Sequence, residues 1–180
     1  MVHVDVHWVK PTARGPWHTL VTSGMSVPDP CREFEYAELC INLPPEWKFS
    51  NKAFQSEQYY WPVRLLKMMA RLPHEFETWL GTGHTVPNGD PAEPYADNTN
   101  LSCALILPPS SFCDEFHCLE TDDGRTIWFY CVVPLYETET SFKLNRGLDA
   151  LLQRFEKHDV GDMIDLNRKD TCRKKLFGLF

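Results

Sequence analysis

A chain of 180 residues, 43% of them apolar, carries enough material for one compact domain spanning 1–180, and most of it reads as folded. Its formal charge of −7 opposes general nucleic-acid affinity, which needs clustered Lys and Arg to neutralise phosphates. The longest apolar runs, 101–107 and 127–135, are far shorter than the ~20 residues that cross a bilayer, and the opening VHVDVHW is an alternating strand and not a basic start with an apolar core. A cytoplasmic protein with no membrane or nucleic-acid partner is expected.

In chain order, strands are expected over 2–9, 17–22 and 34–43. In the last of these, Ala37, Leu39, Ile41 and Leu43 alternate with Glu38, Cys40 and Asn42, before Pro44 and Pro45 stop it. A helix follows. Its start is expected at Pro62, whose missing N–H has no partner in a first helical turn. Leu65, Leu66, Met69, Leu72 and Phe76 then form a core stripe opposite Arg64, Lys67 and Arg71, and Pro73 ends or kinks the helix. Trp61 and Trp79, at its two ends, are expected to be buried anchors.

From 81 to 100 the composition shifts to GTGHTVPNGDPAEPYADNTN, which reads as a long ordered loop, a flexible lid or an irregular crossover. Strands are expected over 101–107, 116–121 and 126–133, the last two forming a hairpin through Asp122-Asp123-Gly124. Pro134 closes the last of them. Helices over 136–144 and 148–157 complete the domain, and the 167–180 tail, NRKDTCRKKLFGLF, is basic and then apolar; it packs on the sheet or lies free. Strands and helices in blocks point to an α+β fold, with a mixed, mostly antiparallel central sheet flanked by helices.

The seven cysteines, Cys31, Cys40, Cys103, Cys113, Cys118, Cys131 and Cys172, are odd in number and irregular in spacing, so they read as reduced. Cys113, His117 and Cys118 lack the second ligand pair of a tetrahedral zinc site. His3, Asp5 and His7 share one strand face, but parallel side chains converge poorly on one ion, and a polar surface is the simpler account. No metal or other cofactor is expected. Thr22-Ser23-Gly24 with His84 or His18 as base is a pairing that any chain with seven histidines offers, and no phosphate loop, nucleophile elbow or HExxH is present. Glu137, Glu139 and Asp149 fit first helical turns, where carboxylates favour the positive end of the dipole.

Four segments carry a resemblance: TLVTSGMSVP from Thr19, QYYWPVRLLKMMARLPHEFETWLGTGHTVPN from Gln58, VVPLYETE from Val132 and GLDALLQRFEKHDVGDMIDLNRK from Gly147. In order and spacing the chain resembles the suppressor of fused family, specifically the N-terminal lobe of its animal members. The resemblance implies that family's mixed α/β sandwich. The abrupt start at VHVDVHW suggests that family residues preceding this strand are missing. Animal members restrain a zinc-finger transcription factor with two lobes and carry an acidic residue just before the histidine, where this chain has Gly83 before His84; the same peptide recognition is therefore not carried over. The single-lobe form resembles bacterial members, which implies an immunity-type protein that binds and neutralises a polymorphic toxin without catalysis. An interaction scaffold, or a small enzyme or metal-binding protein using the His84 loop, are the alternatives. His84, Asn88, Tyr95 and Asn98 are the candidate partner-binding residues, because a flexible backbone with hydrogen-bonding side chains and one aromatic suits a protein partner.

Overall fold

Seven strands share one sheet in the computed structural model, which describes residues 2–27 and 36–173. Cys31, Pro28, the first two residues of the expected third strand and residues 174–180 of the tail lie outside the described residues. The strands are β1 (Asp5–Val9), β2 (His18–Ser23), β3 (Tyr36–Leu43), β4 (Thr85–Pro87), β5 (Leu101–Leu107), β6 (Cys118–Glu120) and β7 (Thr126–Tyr136). Their order is β1-β2-β3-β7-β5-β4, with β6 also on β7. Every pairing is antiparallel except β3 with β7, which run parallel from Tyr36↔Ile127 to Cys40↔Cys131. Long β7 serves two partners in succession, β6 along its first residues and β5 along its last. The fold is α+β, with a mixed, mostly antiparallel sheet between helices.

Helix α1 (Glu57–Glu75) covers one face, where Leu39, Ile41, Leu43, Ala104, Ile106 and Val132 meet Trp61, Leu65, Leu66 and Met69. Helices α2 (Glu137–Arg146) and α3 (Leu148–Lys157) cover the other, where Leu105, Val133 and Leu135 meet Leu151 and Phe155. Opposite faces for successive residues are what strand geometry dictates. In β3, however, the expected polar side is buried as well. Asn42 receives the Thr19 hydroxyl at 2.9 Å, Cys40 faces Cys131, and Glu38 is enclosed by the β2 exit turn.

Two prolines depart from expectation. Helix α1 begins five residues before Pro62, with Tyr59 and Tyr60 amides donating to the Ser56 carbonyl, so Pro62 is interior. The Gln58 carbonyl that Pro62 cannot serve accepts Asn98 Nδ2 at 3.3 Å instead. The Tyr59 carbonyl beside it also receives Trp47 Nε1 at 3.1 Å. Likewise β7 runs through Pro134 to Tyr136. Nitrogen and carbonyl of one strand residue point to the same edge; the Pro134 carbonyl accepts Arg168 Nη2 at 3.0 Å, so the missing N–H faces the edge that Arg168 occupies. At the far end of α1, Glu77 turns to φ 50° and leaves Phe76 exposed, outside the core stripe assigned to it.

Candidate interaction site: the 81–100 segment

After α1 the chain reverses at Glu77, buries Leu80 and lays the Trp79 ring over Gly81, where a Cβ would come within 2.6 Å of Trp79 Cζ3. The same ring lies 4.3 Å from that of His84. Trp79 is therefore no core anchor: it is 46% exposed, whereas Trp61 is fully buried. Gly83, at φ 85°, donates to the Ile106 carbonyl at 2.7 Å and sets β4 onto β5, from Thr85↔Leu105 to Pro87↔Cys103.

Beyond β4, Asn88 closes a turn. Its amide donates to the Ser102 carbonyl at 2.8 Å, its Nδ2 to the carbonyls of Glu93 and Pro94 at 2.8 and 3.2 Å, and its own carbonyl accepts the Glu93 amide at 2.9 Å. Tyr95 follows and points inward. It is 2% exposed and stacks on Trp61 with centroids 5.0 Å apart and planes 7° from parallel. Its carbonyl accepts Arg64 Nη2 at 2.9 Å, its hydroxyl has no hydrogen-bond partner among the described residues, and burial pushes its phenol pKa far up. Asn98 is exposed and spans to α1, as described. The segment is thus neither a bare loop nor a free lid: it contains a strand and is bonded to the scaffold along its length.

The four candidate residues are spread along this segment and do not converge. His84 and Asn88 flank β4, Asn98 lines a cleft of about 610 Å³ with Trp47, Tyr59, Met163 and Leu166, and Tyr95 forms the floor of a neighbouring cleft of about 640 Å³. Glu57, Glu93 and Asp97 make that second cleft acidic. His84 and Asn88 are half-buried and Asn98 exposed, whereas Tyr95 is buried and holds the shape of the segment.

Among the described residues no three His, Cys, Asp or Glu groups gather to hold a metal, and His117 Nε2 is engaged with the Pro109 carbonyl at 3.1 Å. Ser23 meets His7 at 2.7 Å, and not His84 or His18. That pair is exposed, and the nearby amides of Gly24 and Ser26 are spent on Glu38, at 2.9 and 3.0 Å, leaving neither to steady an oxyanion.

Two carboxylates matter more than their sequence context indicated. Glu38, buried in β3, accepts Thr22 Oγ1 at 2.6 Å and Ser26 Oγ at 2.7 Å besides the two amides, so the TSGMS turn is folded around one anion. Glu139 does cap α2, accepting the Tyr136 amide at 3.1 Å. It is also fully buried in a forked pair with Arg168, at 2.6 and 2.7 Å, and accepts both the amide and hydroxyl of Thr171. The signal was available: Glu139 and Arg168 both lie in the quoted motifs, and an inward first-turn carboxylate needs a cation.

The class defined by this geometry is an α+β sandwich whose motif residues fasten irregular segments onto a sheet. The sequence matches the family model of the suppressor of fused protein (SUFU) over residues 1–169, and the chain belongs to that family. Among solved structures it is similar to a SUFU homologue from Neisseria gonorrhoeae, at 20% identity and a TM-score of 0.67, covering 95% of this chain and 79% of that one. A chain of the Sufu–Fu complex gives 14% identity and 0.66, covering 93% and 76%. Drosophila Suppressor of Fused gives 15% and 0.65, covering 93% of this chain and 42% of that one. At these identities the likeness is one of fold. No curated protein sequence matches the chain significantly.

Proposed function

We propose that this domain is a non-enzymatic protein-binding module of the immunity type, which captures a polypeptide toxin and neutralises it by occlusion in the cytoplasm. The observation that carries this reading is the 81–100 segment. It lies at one end of the strand order, is bonded to β5 and α1 at several points, and still presents His84, Asn88 and Asn98 at separate points of its surface, with an acidic cleft next to Asn98. A recognition surface held in shape before binding loses less entropy when the partner arrives. The acidic cleft and the charge of −7 suit a basic partner. That a protein of the same fold has been solved as the Sufu–Fu complex supports a protein as the partner.

Co-expression with a toxin-like protein encoded beside its gene, where the genome supplies one, tests the proposal, with survival and binding as readouts. The wild type should protect, through an interface of about 1,200–2,000 Å². His84→Ala or Asn98→Ala should weaken the complex by about tenfold or more if they stand near its energetic centre. Full protection by both variants moves the site elsewhere on the domain; binding without protection favours an interaction scaffold.

A further inference from the structure

The two ends of the sheet are built differently. β4 has three residues and finishes on Pro87, whereas β1 has five, contains no proline, and pairs with β2 in unbroken register from Asp5↔Ser23 to Val9↔Thr19. Among the described residues nothing pairs with the outer edge of β1. Alternate residues of such an edge turn their N–H and C=O groups outward, and sheets ordinarily blunt that row with a bulge, a proline or a cover.

Here the edge is apolar as well as open. Trp8 is 42% exposed and Val9 50%. On the face that Trp8 shares with Val6, a hollow of about 250 Å³ is lined by Val6, Trp8, Leu20, Phe49, Phe54 and Val63; Val9 lies on the other face with Asp5 and His7. Trp8 is nevertheless fixed: it stacks on Phe49 with centroids 4.4 Å apart, and its Nε1 donates to His18 Nδ1 at 3.0 Å. That bond leaves His18 Nε2 to donate to the Pro45 carbonyl at 3.1 Å, which sets the tautomer. The rim is cationic in an acidic chain. Lys10 Nζ lies 5.3 Å from the Trp8 ring centre, and no Asp or Glu lines the hollow.

We propose that β1 is a strand-addition edge for an extended acidic segment of a partner protein. Its main chain continues the sheet, one large apolar side chain enters the hollow beside Trp8, and a carboxylate faces Lys10. Main-chain bonds supply affinity in this mode and the hollow supplies selectivity. A second copy of the chain is the poorer occupant, since a five-residue edge and one small hollow offer far less than the ~1,200 Å² that a stable pair needs. The surface is independent of the 81–100 segment, which lies at the other end of the strand order.

The probe is a blocked, fluorescein-labelled heptapeptide alternating Glu with Val and Phe, titrated by anisotropy into the intact protein. Saturable binding on the order of 10–100 µM is expected for so small a contact. N-methylation of alternate peptide amides should weaken it about tenfold by removing ladder bonds, and Lys10→Glu should do the same. Peptide should slow amide exchange at residues 5–9, and His84→Ala should bind it as the wild type does, which separates this surface from the one proposed above. Absence of binding, equal binding of the N-methylated peptide, protection at 83–88 instead, or a dimer by sedimentation that the peptide does not dissociate would each overturn the proposal.

Discussion

Two irregular stretches are strapped across this sheet, and they are fastened by opposite means. The 162–173 stretch has a buried ion pair at its centre: Glu139 gathers Arg168 and Thr171, Arg168 reaches on to the Pro134 carbonyl, and its guanidinium lies 4.7 Å from the centre of the Tyr136 ring. Around that pair the Ile164 amide donates to the Asn42 carbonyl, the Tyr136 hydroxyl to the Arg168 carbonyl and Arg154 Nη1 to the Thr171 carbonyl. The 81–100 stretch contains no buried ion pair among the described residues. Its fastenings are a stacked aromatic pair, a short strand, side-chain amides on carbonyls and the Arg64 guanidinium on the Tyr95 carbonyl. A buried ion pair behaves as a unit, because removing one partner strands the other in a medium that cannot solvate it. Separate contacts fail one at a time. The first arrangement suits a structural clasp, and the second holds the segment in shape through several contacts, none of which carries the others.

Breaking the clasp should have the largest effect. Arg168→Ala should cost about 3–5 kcal/mol by urea denaturation, and replacing Glu139 and Arg168 together with apolar residues should recover much of it. A double variant no better than Arg168→Ala would mean that the pair is not the unit described. Next comes the stack, where Tyr95→Ala should cost about 3 kcal/mol or more, while Tyr95→Phe should be nearly neutral, since the hydroxyl has no partner to lose. Asn88→Ala is expected to cost about 1 kcal/mol and to speed amide exchange at Glu93 without loosening α1, which would sharpen the contrast between distributed and unitary fastening. Smallest should be Trp79→Ala, within about 1 kcal/mol, because nearly half of the ring already faces solvent. A denaturation midpoint shifted as far as that of Trp61→Ala would restore Trp79 to the core.

Where grammar is local, the sequence was legible. Helix α3 spans the expected 148–157, because Gly147, at φ 89°, precedes an apolar stripe with a clear helical period. The apolar run of β5 and the hairpin turning at Gly124, with φ 80°, were also readable. Misreadings arise where a distant residue repairs a local fault. Pro62 sits inside α1 because Asn98 serves the carbonyl it leaves open, and Pro134 sits inside β7 because Arg168 occupies its bare edge. Tyr95 faces inward for the same reason: Trp61, thirty-four positions earlier, offers it a parallel ring. His84, Asn88, Tyr95 and Asn98 were legible as one segment, yet their separation depends on β4, which three residues ending in proline barely announce.

The buried thiols give the domain a chemical clock. Cys40 and Cys131 lie side by side at the β3–β7 junction, fully enclosed, and Cys103 is buried on β5 beneath α2 and α3. The hydrogen bond to Cys40, together with burial, holds the Cys131 thiol pKa well above its ordinary value, and burial raises that of Cys103. Since only a thiolate reacts, an alkylating reagent should mark exposed Cys113 at once and reach these three only when the strands part. Counting labels over time would then measure how often the centre of the sheet opens, without any added probe.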